Sequence, residues 1–286
     1  MTYKTLWAMF RETLAEWNMH DAPRLGAALA FYTILSLAPL LIMAIAIAAL
    51  IFGQPAAQGQ VLSEVESMIG RQGSEAVKEM IAHAQQPASG MAASIIGLIT
   101  LLFGASGVFG ELRAGLDKMW DFKTLSEGGV WDTIRQRFLA FGMVLAVGFL
   151  LLVSLVISAF LAAVGKFFGG LLPINDVLPG AINFAISLAG TAVLFALIFR
   201  YVPETRIGWK VVWIGASVTA VLFTAGKFLI GVYLGKAAVG SAYGAAGSLI
   251  AVIVWVYYSA MIFLFGAEFT HVLDSEAWKQ RIRLNG

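Results

Sequence analysis

Six runs without a single Asp, Glu, Lys or Arg dominate this chain: Leu25–Ser63, Ile81–Gly110, Phe138–Gly165, Val177–Phe199, Val211–Gly226 and Ala237–Ala267. A hydrocarbon layer about 30 Å thick takes about 20 apolar residues to cross as a helix, and a helix satisfies its backbone polar groups within its own segment. These runs therefore predict an all-α polytopic membrane bundle. The fifth run is short but resumes after Lys227 as far as Gly235, which makes six crossings in one integral domain, 1–286. Composition agrees, with 59% of residues hydrophobic and 13% charged, where soluble domains carry about 25% charged.

Lys and Arg beside short loops stay in the cytoplasm. With the amino terminus inside, the inward segments hold fourteen bases and the outward ones hold four, Arg71, Lys78, Lys166 and Lys236. Both termini are expected inside, on the cytoplasmic side. The net charge of +2 is spread over separate cytoplasmic segments, so it reads as topology and not as a nucleic-acid footprint. Arg11, Glu12 and Glu16 interrupt the first residues, so no cleavable signal is expected and the first crossing acts as its own anchor. The absence of cysteine excludes disulfides, thiolate metal sites and thiol nucleophiles.

Between the crossings lie segments of distinct character. Within 1–24, Leu6, Trp7, Phe10, Leu14 and Trp17 recur at helical spacing, which predicts an amphipathic helix lying on the inner membrane surface or packed on the protein's own loops. The outer segment 53–90 carries two apolar stripes, Val61 to Ile69 and Ala76 to Ala84, separated by Gly70 and Gly73. It reads as two short helices forming a cap that lipid headgroups or the bundle must cover. The segment 111–137 is charged and cytoplasmic, and 268–286 is a cytoplasmic tail.

Gly26 to Phe52 would be ~40 Å of helix, longer than the hydrocarbon is thick. Pro39 sits inside it, lacks an amide hydrogen and crowds the carbonyl of Leu35. The expectation is a kink beside a cavity, with Ser36, Thr33 or water serving the freed carbonyl.

The runs AFYTILSLAPLL after Arg24, GASGVFGELRAGLDKMWD ending at Asp121, and YGAAGSLIAVIVWVYYSAMIFLFGAEFTHV ending at Val272 resemble the YihY/BrkB family of bacterial inner-membrane proteins. That resemblance, from Arg24 to Val272, implies six helices with both termini inside. It also implies a connection to lipid movement, whereas the family's former ribonuclease label was withdrawn.

Lys227 is a charge inside an apolar span, and such charges face a cavity, a partner or a snorkelling route to the interface. Asn183 lies at comparable depth. Lys227, Asn183, Ser36 and Pro39 are the candidates for contact with an anionic headgroup, beside the plainer reading of structural bonding. Arg113 and Asp117, four apart, are expected to pair on one helical face, and Glu268 to pair with a base such as Arg24. Glycines at close-packing intervals, Gly104, Gly107 and Gly110, Gly231 and Gly235, and Gly240, Gly244 and Gly247, are expected to let helices approach.

Glu268 and His271 have the Glu-x-x-His spacing of di-metal carboxylate sites, but the other histidines, His20 after Glu16 and His83 after Glu79, do not repeat it. No metal or cofactor is expected. No Walker loop, GxSxG elbow or dinucleotide fingerprint is present, and three scattered histidines do not make a metal-dependent nuclease. The expected function is non-enzymatic: assisting translocation or export of a lipid or other amphiphile, by secondary, passive or partner-powered movement. The alternative is a membrane scaffold that recruits envelope proteins. Expected partners are membrane lipids, an amphiphilic substrate, and a second copy of the chain or an envelope protein; no nucleic acid is expected.

Overall fold

The computed structural model describes residues 3–84, 107, 108, 110–121, 177–203, 205, 207–236 and 247–275, and among these the chain is helical with no strand. Most of the second expected crossing and all of the third lie outside the described residues, as do 122–137 and the end of the tail.

Helix α1, Tyr3–Met19, ends at a sharp corner. Asp21 there takes φ 56° and ψ 37°, the left-handed region that Asp tolerates better than most side chains. Pro23 falls in the first turn of α2, Ala22–Phe52, where a missing amide hydrogen costs nothing. Gly53 closes α2 at φ 79°, and its amide donates to the Ala49 carbonyl at 2.9 Å.

Helix α3, Gln54–Ala84, is two helices joined at Gly70, whose φ of 75° and ψ of 176° suit glycine alone. The break falls at the first of the two expected glycines. Ser74 Oγ donates across it to the Leu62 carbonyl at 3.2 Å. Ala57, Ala76, Val77 and Ile81 are buried against Ile45 of α2 and against Val252 and Val256 further along the chain. The bundle itself thus covers Val61, Leu62 and Val65 of the first stripe in part and Ala76, Val77 and Ile81 of the second.

Helices α4, Val177–Tyr201, α5, Trp209–Lys236, and α6, Gly247–Asp274, complete the described chain. Phe184–Tyr201, Trp209–Tyr233 and Leu249–Asp274 are each long and apolar enough to cross a membrane, at 18, 25 and 26 residues. The apolar stretch described in α2 is shorter, Ala22–Leu37. Helix α6 is the centre of the bundle, packed against α1, α2, α3 and α5. Around it, Phe199 lies 5.4 Å from Phe263 and 6.2 Å from Trp120 between ring centroids. Apolar lipid offers no hydrophobic drive for helices to associate, so close packing must hold them.

That packing is closest in a reciprocal clasp. In α5 Thr219 Oγ1 donates to the Gly215 carbonyl at 2.7 Å, and in α6 Thr270 Oγ1 donates to the Gly266 carbonyl at 2.7 Å. Each threonine fills the other helix's glycine notch: a Cβ on Gly215 would lie 1.9 Å from Thr270 Oγ1, and one on Gly266 would lie 2.0 Å from Thr219 Oγ1. Gly226, against Tyr258 and Ile262, is similarly tight. The expected packing glycines behave differently. Gly107 meets the Tyr32 ring, but Gly110 and Gly231 face open space.

Helix α2 continues through Pro39 as one helical element. Thr33 Oγ1 donates to the Leu29 carbonyl at 2.7 Å, and Ser36 Oγ reaches the Tyr32 and Thr33 carbonyls at 3.0 and 3.1 Å. Neither hydroxyl serves Leu35, so of the three groups expected there the two side chains bond elsewhere. A helical Ser or Thr bonds back to its own preceding turn, and that turn holds residues 29 to 33.

Candidate functional site

The described helices bring their chemistry together where α1 turns into α2. The corner at Asp21 leaves His20 beside the last turns of α6. There His20 Nδ1 lies 2.9 Å from Glu268 Oε2, and His20 Nε2 lies 3.3 Å from Asp121 Oδ1. The Glu268 side chain is 0% exposed and that of His20 10%, while Asp121 is 72% exposed. His271 Nε2, one turn beyond Glu268, stands 3.9 Å from Asp121 Oδ2. One imidazole thus bridges a carboxyl shut off from water and a carboxyl standing in it.

Each arm of this corner is held by ordinary means. The His20 amide donates to the Glu16 carbonyl at 2.8 Å, which fixes the last turn of α1. On its buried face α1 packs Met9 against Val272 and Leu273 of α6, and Thr13 Oγ1 donates to the Met9 carbonyl at 2.8 Å. The helical stretch 110–119 ends at Trp120, whose Nε1 donates to the Ala267 carbonyl at 2.9 Å. This bond docks the neighbouring Asp121, at φ 52°, opposite Glu268. Lys118 Nζ reaches Asp21 Oδ2 at 3.2 Å and ties the two left-handed corners together.

Glu268 has a second oxygen, Oε1, that is buried without a hydrogen-bond partner. The Glu16 carboxyl of α1 lies near enough to act on Glu268 electrostatically. An unpaired buried oxygen is costly and rare. Among the described residues, no three His, Asp or Glu side chains are placed to hold a metal ion. The arrangement suits movement of a proton along hydrogen bonds better than coordination.

The other expected site residues are placed as follows. Arg113 Nε lies 3.5 Å from Asp117 Oδ2, on one face of the stretch 110–119. Burial pushes the Asp117 carboxyl above its ordinary range, and Arg113 pulls against that shift. Arg24 is exposed and stands 3.9 Å from Asp21, so Glu268 meets His20 in place of the expected base. The physical reason is depth: Glu268 is fully covered, and the groups that reach it, the His20 ring and the Glu16 carboxyl, come from α1 and its end. Lys227 is half-buried on α5. It has no ion pair or hydrogen bond with another described residue. The side chains of Asn183 and Pro39 lie outside what the structure describes. Ser36 is fully buried and occupied by its own helix.

Sequence reasoning missed His20 and Asp121 as partners of Glu268. It weighed Glu16, His20, Glu268 and His271 as metal ligands, set them aside for unequal spacing, and gave Glu268 a base such as Arg24 as its partner. The signal that finds them is topological, since the basic-residue count already puts all four at one end of the bundle together with Asp121.

Known proteins align with this whole arrangement. The family described as Virulence factor BrkB matches residues 13–284. A UPF0761 membrane protein of Verminephrobacter eiseniae is 31% identical over 280 residues, covering 94% of this chain and 63% of that protein. One from Pseudomonas paraeruginosa is 26% identical over 269 residues, covering 91% and 61%. This chain therefore spans less than two thirds of the length of those relatives. A Bacillus subtilis protein whose name reads ribonuclease-like protein YfkH is 22% identical over 270 residues, covering 93% and 95%. No solved structure matches. The family match begins within α1 and ends beyond α6, so it takes in His20, Asp121 and Glu268, and the chain belongs to the Virulence factor BrkB family of membrane proteins.

Proposed function

We propose that the protein crosses the bacterial inner membrane six times with both termini in the cytoplasm, and that it assists a lipid or other amphiphile across or out of the bilayer. The observation that carries this reading is Lys227. It is half-buried in the apolar span Trp209–Tyr233, and the next two residues, Phe228 and Leu229, are 71% and 61% exposed on a surface of hydrocarbon character. A cation in that setting, with no acidic neighbour among the described residues, is costly unless an anionic group comes to it or its stem reaches the interface. A phosphate on a lipid headgroup is the anion a bilayer supplies.

Two features support the proposed membrane placement. Tyr201, Trp209 and Trp213 are exposed at the His20 end of the bundle, where a belt of amphipathic rings suits a membrane interface. Helix α1 keeps Trp7, Phe10 and Leu14 outward while its other face packs on α6. The buried face of this helix packs on α6 and not on loops, and the outward stripe is proposed to lie among headgroups.

The test is a reconstituted vesicle assay of headgroup exposure with wild type and Lys227→Ala. Faster exposure in wild type, diminished in the variant, is expected, and background-level movement in both rejects the proposal. Silent Lys227 variants combined with loss of function from changes in the outward α1 stripe would favour the scaffold reading instead. Reporter fusions at Ser74 and Ser126 are expected on opposite sides. The ribonuclease-like name belongs to the Bacillus relative and finds no metal-ligand cluster to support it among the described residues.

A further inference from the structure

The geometry points to a proton relay, Asp121 to His20 to Glu268, through which a carboxyl sealed inside the bundle exchanges protons with water. Three observations carry it. Both nitrogens of one buried imidazole face carboxyl oxygens, at 2.9 Å toward Glu268 and 3.3 Å toward Asp121. One of those carboxyls is wholly covered and the other stands in solvent, so the chain of contacts has a dry end and a wet end. At the dry end Glu268 Oε1 is buried with no hydrogen bond closed on it, and the Glu16 carboxyl of α1 beside it is the next group within reach of the path.

Imidazole suits this because it can take a proton on one nitrogen while it gives one up from the other. A neutral His20 carrying its hydrogen on Nδ1 donates to Glu268 Oε2 and accepts at Nε2. When Asp121 is protonated, its hydrogen passes to Nε2 as the Nδ1 hydrogen passes to Oε2. Asp121 is left as carboxylate, Glu268 as neutral acid, and His20 neutral with its hydrogen on Nε2. Reversal of both transfers, or a ring flip, resets it. The groups facing this path are Glu16 from α1, His271 from α6 beside Asp121, and Lys118 on Asp21 at the adjoining corner. The relay is read from geometry alone. Its use to drive lipid movement rests on the function proposed above, and would make that movement proton-coupled.

The experiment is infrared difference spectroscopy of the full chain in lipid nanodiscs. The Glu268 carbonyl band is assigned by its disappearance in Glu268→Gln, and its shift is timed after transfer from H2O to D2O. The relay predicts that His20→Gln slows this exchange on the order of a hundredfold, and that Asp121→Asn, at an exposed position that does not threaten folding, slows it as well. Wild-type exchange rates in Asp121→Asn and in a folded His20→Gln overturn the relay, as does the absence of any Glu268 band that depends on pH. A vesicle assay with an imposed pH gradient separates the two ideas. Lipid movement indifferent to the gradient, with exchange still dependent on His20, counts against the transport role while the relay stands.

Discussion

The two ends of the α5–α6 pair are built differently. Toward His20 the helices interlock: threonine fills glycine notch in both directions, Trp120 bonds the Ala267 carbonyl, and the fully buried Glu268 carboxyl is met by an imidazole. At Lys227 the contact is still close through Gly226 against Tyr258 and Ile262, but beyond it Gly231 faces open space, and Phe228 and Leu229 turn outward. Both ends hold an ionisable group in an apolar helix, one matched by partners within the chain and one with no pairing partner among the described residues. A matched group ties its element to the fold. An unmatched one contributes little to the fold and is available to something else.

The sharpest way to break this contrast is His20→Ala. It strips Glu268 of its imidazole and leaves a covered carboxyl with nothing in its place, a loss of about 3 kcal/mol by the usual cost of orphaning a buried polar partner. Reversible unfolding in mixed micelles should show it, and a change indistinguishable from that of Lys227→Ala would erase the distinction between the ends. Next in size is Gly266→Ala, which drives a methyl into Thr219 and should cost about 2 kcal/mol. Thr219→Ala in the same chain should recover most of that loss, because it empties the space the methyl needs. Gly231→Ala, where nothing lies within 4 Å, should be neutral or stabilising by up to about 1 kcal/mol.

Much of this architecture can be read in the sequence. The charge-free runs mark α4 to within two residues, because a bilayer tolerates few charges and the boundary residues Asp176 and Arg200 show the limits plainly. The break in α3 was readable for a similar reason, since two glycines between apolar stripes leave a helix few ways to continue. The corner was not readable. Glu268 and His20 are 248 residues apart, and no periodicity links the end of one helix to the end of another. The clasp was missed for a different reason. Gly215-Ala-Ser-Val-Thr219 and Gly266-Ala-Glu-Phe-Thr270 repeat one pattern, yet glycine spacing drew attention to Gly231 and Gly240 and away from the threonine that fills each notch. Arg24 was misassigned because charge complementarity alone ignores depth: a long exposed guanidinium at the rim does not reach a carboxyl under the last turn of α6.

A smaller effect separates the two ion-pair environments at the interlocked end. Asp117 is 9% exposed and 3.5 Å from Arg113, and burial outweighs that partner in raising its folded pKa above the ordinary 3.8. The native state then holds its proton at a pH where the unfolded chain has released it, so the contribution of Asp117 to stability is full below pH 3.8 and falls as pH rises through the folded value. Unfolding measured across that window should lose this downward slope in Asp117→Asn. Arg113→Ala should extend the slope to higher pH, since the cation that opposes the shift is gone.

Smallest of all for stability is Lys227→Met, and it bears most directly on the open end. The methionine keeps most of the apolar stem and removes the ammonium. If Lys227 were a structural group, its loss would leave a partner unsatisfied and the bundle would weaken as it does at His20. No described residue pairs with it, so removal of a charge from an apolar span should leave unfolding within about 0.5 kcal/mol of wild type or shift it toward greater stability. Headgroup exposure in vesicles should nevertheless fall, because the cation proposed to receive an anionic lipid is missing while the fold around it is intact. A destabilised Lys227→Met with unchanged lipid movement would reverse both halves of that expectation and would place the group among the fold's own supports. The same pair of measurements on Lys227→Arg separates charge from shape. A guanidinium retains the positive charge at similar reach and can grip phosphate with two bonds, so lipid movement should survive that exchange if the anion is what Lys227 serves.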